Sequence, residues 1–395
     1  MRAGIIAEYN PFHSGHAAQI DLVRRAGADS VAVVMSGSFV QRGEPALFSK
    51  FLRARAALAC GADLVAELPV PWAAAEADRF AEGGVFLLAA AGCDAICFGA
   101  ECDDLPRLAA LAALLEDPSF DKALTDRHRA GGGSLAALRA QLAEEQLPGA
   151  AALLRGPNNA LGVAYLRAIR RLGLPMRAIP IRRVGAAHDA PLGSGRIASA
   201  GALRALFCEK GAAAMAPYLP ESCLPLCLAA EREGAVSDKE RFSTSLLTVL
   251  RTADPDSFAA LPGAGGEGLD RLLAKAARRA GSAGELYDLL KSKRYTHARL
   301  RRLALAGYLG LRGDLPQLPP YLRLLGGSEA GLAGIPGRAA GVGIPVSQSL
   351  AKLSRMPGDA GRVASLEARA GALWSLCLRR PRAASEEFTE KFIRV

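Results

Sequence analysis

Five histidines occur in these 395 residues, and two of them stand three apart in His13-Ser14-Gly15-His16. Two imidazoles flanking a glycine where a helix begins can meet phosphate oxygens. Gly15 lets the backbone approach a ligand, and a helix N-terminus attracts anions. The preceding residues 3–7 form a compact apolar run closed by Asn10-Pro11, which predicts a buried parallel strand ending in a loop. Open α/β sheets place ligands at that edge. An isolated His-x-Gly-His can be ordinary capping, but its position directly after the first strand favours a phosphate-binding, ATP-type site.

Other loops add candidates. Ser36-Gly37-Ser38-Phe39-Val40-Gln41-Arg42-Gly43-Glu44-Pro45 follows a second apolar run, with Gln41 and Arg42 as functional candidates. Lys50, Arg53 and Arg55 on the next helix read as a solvated face. Gly99, at the end of another strand, leaves room for a base or ribose. In Gly156-Pro157-Asn158-Asn159, one asparagine suffices to cap a helix, so the other is open to a ligand. Ser199 opening a helix with Arg204 one turn later reads as a second phosphate clamp.

These residues need a frame. Strands are expected at residues 3–7, 30–35, 62–68, 94–98 and 176–181, alternating with helices at 16–26, 50–60 and 74–91. That alternation predicts an α/β fold with a doubly wound, mostly parallel sheet. Residues 103–150 read as a helical insertion. The expected division is a nucleotide-binding domain over 1–205 followed by a mainly helical domain over 206–395, in which residues 319–345 suggest a small Gly-rich subdomain. Within the second domain, Lys291-Ser292-Lys293-Arg294-Tyr295-Thr296-His297-Ala298-Arg299-Leu300-Arg301-Arg302 carries six basic residues and no acidic one. With Tyr295 available to stack, the strip suits a phosphate backbone, so Lys291, Lys293, Arg294, Arg299, Arg301 and Arg302 are candidate RNA contacts.

Lysine and arginine exceed aspartate and glutamate by ten, which favours an anionic partner. No leader and no apolar run of spanning length is evident, so a soluble, cytoplasmic chain with no membrane partner is expected. Eight cysteines in a chain this long do not read as a disulfide framework; reduced thiols are expected, and no metal site.

The chain resembles the bacterial tRNA(Met) cytidine acetate ligase family. The resemblance rests on Ile6-Ala7-Glu8-Tyr9-Asn10-Pro11-Phe12-His13-Ser14-Gly15-His16, on the segment from Met35 to Pro45, and on Phe98-Gly99-Ala100-Glu101. It continues through Pro157-Asn158-Asn159, Arg183, the segment from Ser199 to Arg204, and Lys291-Ser292-Lys293-Arg294-Tyr295. It implies a Rossmann-like nucleotidyltransferase fold of HUP type. It also implies ATP contacts at Ile6, Ala7, Glu8, Tyr9, Asn10, Pro11, Phe12, His13, Ser14, Gly15, His16, Ala17, Ala18 and Gln19, and at Gly99, Asn158 and Arg183. The related clamp usually reads Ser-Ser-Thr-x-Ile-Arg; here Ala200 and Gly201 remove two hydroxyls, and Ala100 stands where serine is common. The implied reaction is ATP-dependent N4-acetylation of the wobble cytidine, C34, of elongator tRNA(Met) by free acetate through acetyl-adenylate, releasing AMP and diphosphate. His13 and His16 would be catalytic, and Mg2+ is expected with ATP. The alternatives are a small-molecule adenylyltransferase of the nicotinate mononucleotide or phosphopantetheine type, or a non-catalytic RNA-binding protein.

Overall fold

The computed structural model describes residues 1–131, 134–182, 198–264, 268–292, 295–335 and 342–395. The chain begins with β1 (Arg2–Ala7), α1 (Ser14–Arg25) and β2 (Ser30–Ser36), then a short antiparallel pair, β3 (Phe39–Val40) with β4 (Glu44–Pro45). It continues through α2 (Lys50–Ala59), β5 (Leu64–Leu68), α3 (Val70–Ala73), α4 (Ala77–Ala90) and β6 (Ala95–Ala100). Between β6 and β7 (Arg177–Arg182) come α5 (Leu105–Leu115), α6 (Pro118–Arg129), α7 (Leu135–Gln146), α8 (Ala150–Arg155) and α9 (Pro157–Arg171). Helices α10 (Ala200–Lys210), α11 (Leu224–Arg232), α12 (Lys239–Thr252), α13 (Leu269–Arg279), α14 (Ala283–Leu290) and α15 (His297–Leu309) follow. The chain closes with β8 (Leu322–Gly327), α16 (Glu329–Ala333), β9 (Val346–Ser347), α17 (Leu350–Ser354), α18 (Gly358–Leu376), α19 (Glu386–Thr389) and β10 (Ile393–Arg394).

The central sheet runs β10-β8-β5-β2-β1-β6-β7, with β9 beside β8. Strands β5, β2, β1, β6 and β7 are mutually parallel, which confirms the doubly wound, mostly parallel sheet. Period-two alternation sends side chains to both faces. Ala32, Val34, Leu64, Ala66, Ile96 and Phe98 pack with α4, α5 and α9. Val31, Val33, Met35, Val65 and Cys97 pack with α1, α2, α10 and α11. Both faces being covered explains why these strands read as unbroken apolar runs. Strand order reverses at β1, so β1 and β6 flank the switch point where such sheets bind ligands.

The described residues of the stretch 319–345 depart from the expected subdomain. Its first run is β8, which enters the central sheet antiparallel to β5, Leu64 opposite Gly327 and Glu67 opposite Arg323. The pairing is anchored by charge: Arg323 Nη1 lies 2.9 Å from Glu67 and 2.7 Å from Glu387. Among the described residues no helix is long and apolar enough to cross a membrane.

Candidate active site

A cleft opens over the carboxyl ends of β1 and β6, lined by Ile6, Ala7, Glu8, Tyr9, Asn10, His13, His16, Gln19, Phe98, Gly99 and Asn158 among others. His13 caps α1: its Nδ1 accepts the Gly15 N–H at 3.0 Å, while His16 Nδ1 accepts the His13 N–H at 3.3 Å. The two rings stack with centroids 3.8 Å apart. Because each Nδ1 is an acceptor, the proton of each neutral ring sits on Nε2. Two N–H donors thus stand side by side at the positive end of a helix, an arrangement suited to phosphate oxygens.

The loop before them is bent. Tyr9 has a φ of 49°, in the left-handed region, and the Asn10–Pro11 peptide is cis. For a non-glycine residue the left-handed conformation costs ~1–2 kcal/mol. Hydrogen bonds offset it: Arg53 Nη1 donates to the Glu8 carbonyl at 2.7 Å, and Asn10 Oδ1 accepts the Leu47 N–H at 2.8 Å. Arg53 also donates to the carbonyls of Phe48, Ser36 and Gly37. Arg53 and Lys50 are therefore buried, not the expected solvated face, because backbone carbonyls and carboxylates converge on them. Lys50 pairs with Glu67, Glu367 and Glu387.

Glu8 lines the cleft, and its Oε1 accepts the Gln41 N–H at 2.8 Å. Burial pushes its carboxyl above the ordinary range, with the Gln41 N–H opposing. On the facing side, Asn159 Oδ1 accepts the backbone N–H groups of Glu101 and Cys102, both at 3.0 Å. Glu101 in turn takes the Asn158 side-chain amide at 2.6 Å and the Asn159 N–H at 2.7 Å. Burial works against the Glu101 charge, but these bonds outweigh it and hold the carboxyl below its usual range. Asn159 is a buried brace, whereas Asn158 lines the cleft.

The remaining candidates divide. Pro11, Phe12, Ser14, Gly15, Ala17 and Ala18 support the lining without joining it: Phe12 packs edge-on to Tyr9 at 4.8 Å, and Ser14 donates to the Tyr218 carbonyl at 2.8 Å. Ser199 lines the cleft and caps α10 by accepting the Ala202 N–H. Arg204 donates to the Asn10 carbonyl at 2.7 Å and lies 3.3 Å from Glu44, so it braces the loop. Arg183, Lys293 and Arg294 lie outside the described residues. Gln41 and Arg42 line the cleft, as do Phe80, Leu161 and Tyr165, which sequence reasoning missed because apolar residues at helical spacing read as core. Among the described residues no group of three or more His, Cys, Asp or Glu side chains could hold a metal.

The basic strip meets this site. A Cβ on Gly43, whose φ is +79°, would come within 2.8 Å of the Arg301 backbone, so the loop carrying Gln41 and Arg42 lies directly on α15. The Arg299 guanidinium sits 4.6 Å over Tyr295 and that of Arg301 5.4 Å over Tyr287. Lys291 and Arg299 are exposed; Arg301 and Arg302 are half-buried, and burial lowers the Arg302 pKa.

Residues 1–388 match the family HIGH Nucleotidyl Transferase. The chain is 40% identical over 349 residues to a tRNA(Met) cytidine acetate ligase of Syntrophotalea carbinolica, covering 84% of this chain and 81% of that protein. It is 31% identical to one of Acetivibrio thermocellus over 99% of both chains. Its fold superposes on Thermotoga maritima TmcAL bound with alpha-thio ATP with a TM-score of 0.89 at 28% identity, and on the apo form with 0.90 at 30%, over the whole of both chains. The chain therefore belongs to the HIGH nucleotidyl transferases and, among them, to the tRNA(Met) cytidine acetate ligase family.

Proposed function

We propose that this protein joins free acetate to N4 of the wobble cytidine, C34, of elongator tRNA(Met), consuming ATP and releasing AMP and diphosphate. The observation that supports the reading is the seating of the Gln41-to-Pro45 loop on the basic helix α15, beside the cleft of the stacked histidines. The parallel strands and the loops at their carboxyl ends supply the ATP half, and α15 with the strip before it the RNA half. ATP lies along the Ile6-to-Gln19 segment, with Gly99, Asn158 and Arg183 completing its contacts. Mg2+ arrives with the triphosphate.

An acetate oxygen attacks the α-phosphorus and the bond to diphosphate breaks. Acetate is already an anion near neutral pH, so this step needs no base. The His13 and His16 Nε2–H groups stabilise charge on the phosphate oxygens, and the protein's main work is positioning. The C34 amine then attacks the acetyl carbon, loses a proton, and AMP departs. Arg204, tied to Asn10 and Glu44, holds the loop in place.

The test is transfer of labelled acetate to elongator tRNA(Met) transcripts carrying C34 or U34. Label on the C34 transcript alone, and only with ATP, is expected. ATP cleavage only when a mononucleotide is supplied would make the protein a small-molecule adenylyltransferase instead.

A further inference from the structure

Away from the cleft, two thiols meet across elements far apart in sequence. Cys60 ends α2 and Cys223 opens α11; their Sγ atoms are 3.8 Å apart, and the Ser222 hydroxyl lies 3.7 Å from the Cys60 sulfur. Cys223 is buried, whereas Cys60 is partly open to solvent. We propose that Cys60 and Cys223 form an oxidative modification site, in which a hydroperoxide converts the pair to a reversible disulfide joining α2 to α11.

The surroundings suit this chemistry. The Cys223 and Ser222 groups hydrogen-bond to the Cys60 sulfur and, against its partial burial and the nearby Asp21 carboxylate of α1, bring its thiol down to about 7. Cys227, one turn along α11, stays a buried thiol pushed up to about 12. Tyr9 lies on the same side and is likewise pushed up, chiefly by burial and in part by Cys60. Cys60, the thiol of the pair that solvent reaches, is the attacking thiolate, and the buried Cys223 is the group that resolves it.

The steps balance. The Cys60 thiolate attacks one peroxide oxygen, the O–O bond breaks, and an alcohol or water leaves after taking a proton from solvent. Cys60 is now a sulfenic acid. The Cys223 sulfur attacks the Cys60 sulfur, the S–O bond breaks, and the departing hydroxide takes the Cys223 proton as water. Two thiols lose two electrons and the peroxide gains them.

The link would join two elements whose neighbouring residues both touch α1. Ser14, at the start of α1, donates to the Tyr218 carbonyl just before Cys223, while Cys60 ends the helix that carries Arg53. The full-length protein is treated with hydrogen peroxide, alkylated under denaturing conditions and analysed by peptide mass. A dithiothreitol-reversible peptide joining Cys60 to Cys223, lighter by two hydrogen atoms, is expected in wild type, Cys208→Ser and Cys227→Ser. It is expected to vanish in Cys60→Ser and Cys223→Ser. Over-oxidation of Cys60 without the link, or its pairing with another cysteine, would overturn the proposal. A second readout does not depend on the link forming. The pH midpoint for alkylation of Cys60, held below that of an ordinary thiol by the Cys223 donor, should rise in Cys223→Ala, which removes that donor where serine would keep one; an unmoved midpoint also refutes the pairing.

Discussion

Helices α2 and α15 each carry three basic residues on a short stretch, yet Lys50 and Arg53 of the first and Arg299 of the second stand in opposite physical situations. On α2, Lys50 and Arg53 are buried, one among three carboxylates and the other among four carbonyls of the site loops. On α15, Arg299 is exposed and stacks on Tyr295, and Arg301 stacks on Tyr287 while its backbone supports Gly43. A buried charge must be paired where it sits, so it fixes structure; an exposed one keeps its field for a partner. Charge count cannot separate the two roles, but partners can.

The largest effect should come from the buried set. Arg53→Met leaves four carbonyls without their donor and should cost ~3–5 kcal/mol in denaturant unfolding, with loss of ATP turnover. A cost under ~1 kcal/mol would erase the contrast with α15. Lys50 offers a pH test. Burial and the Glu67 charge push the neighbouring Glu367 carboxyl up to about 8. A raised carboxyl contributes stability that is full below its unfolded pKa of ~4.3 and is lost as pH rises through the folded value. Wild-type stability should therefore fall by ~1–3 kcal/mol between pH 5 and 8, and Glu367→Gln should flatten that slope. An equally steep slope in the variant would place the titration elsewhere.

The exposed set should leave the fold alone. Lys291→Glu with Arg299→Glu should change stability by less than ~1 kcal/mol while weakening tRNA binding. Its log–log salt slope should become shallower by ~0.9 for each phosphate that the variant no longer neutralises. Unchanged tRNA affinity would remove α15 from the RNA surface. The smallest effect belongs to Tyr295→Leu, which removes the ring under Arg299 and should cost tRNA binding ~0.5–1 kcal/mol without altering ATP binding.

Much of this was legible because it is local. A strand, a bent loop and a capped helix lie within the first 25 residues, so His13 and His16 could be read as one unit. The same holds for the alternation from β2 to β7, since burial on both faces writes continuous apolar runs into the sequence. What could not be read is set by contacts between distant segments. Arg53 looks like any helical arginine until Glu8, Ser36 and Gly37 turn their carbonyls toward it. Strand β8 looked like part of a separate subdomain because its partners, Glu67 and Glu387, stand far away in sequence. Arg204 has the spacing of a phosphate ligand, and that spacing says nothing of its contacts with the Asn10 carbonyl and Glu44. Adjacent asparagines also look alike in sequence; only geometry makes Asn159 the brace and leaves Asn158 on the cleft.

The most direct measurement is AMP released per N4-acetylcytidine formed on elongator tRNA(Met), in wild type and in His16→Ala. The account predicts one AMP for each acetylcytidine, with both falling together by ~10²–10³-fold in the variant while it remains folded. AMP without acetylcytidine, or undiminished turnover in His16→Ala, would contradict it.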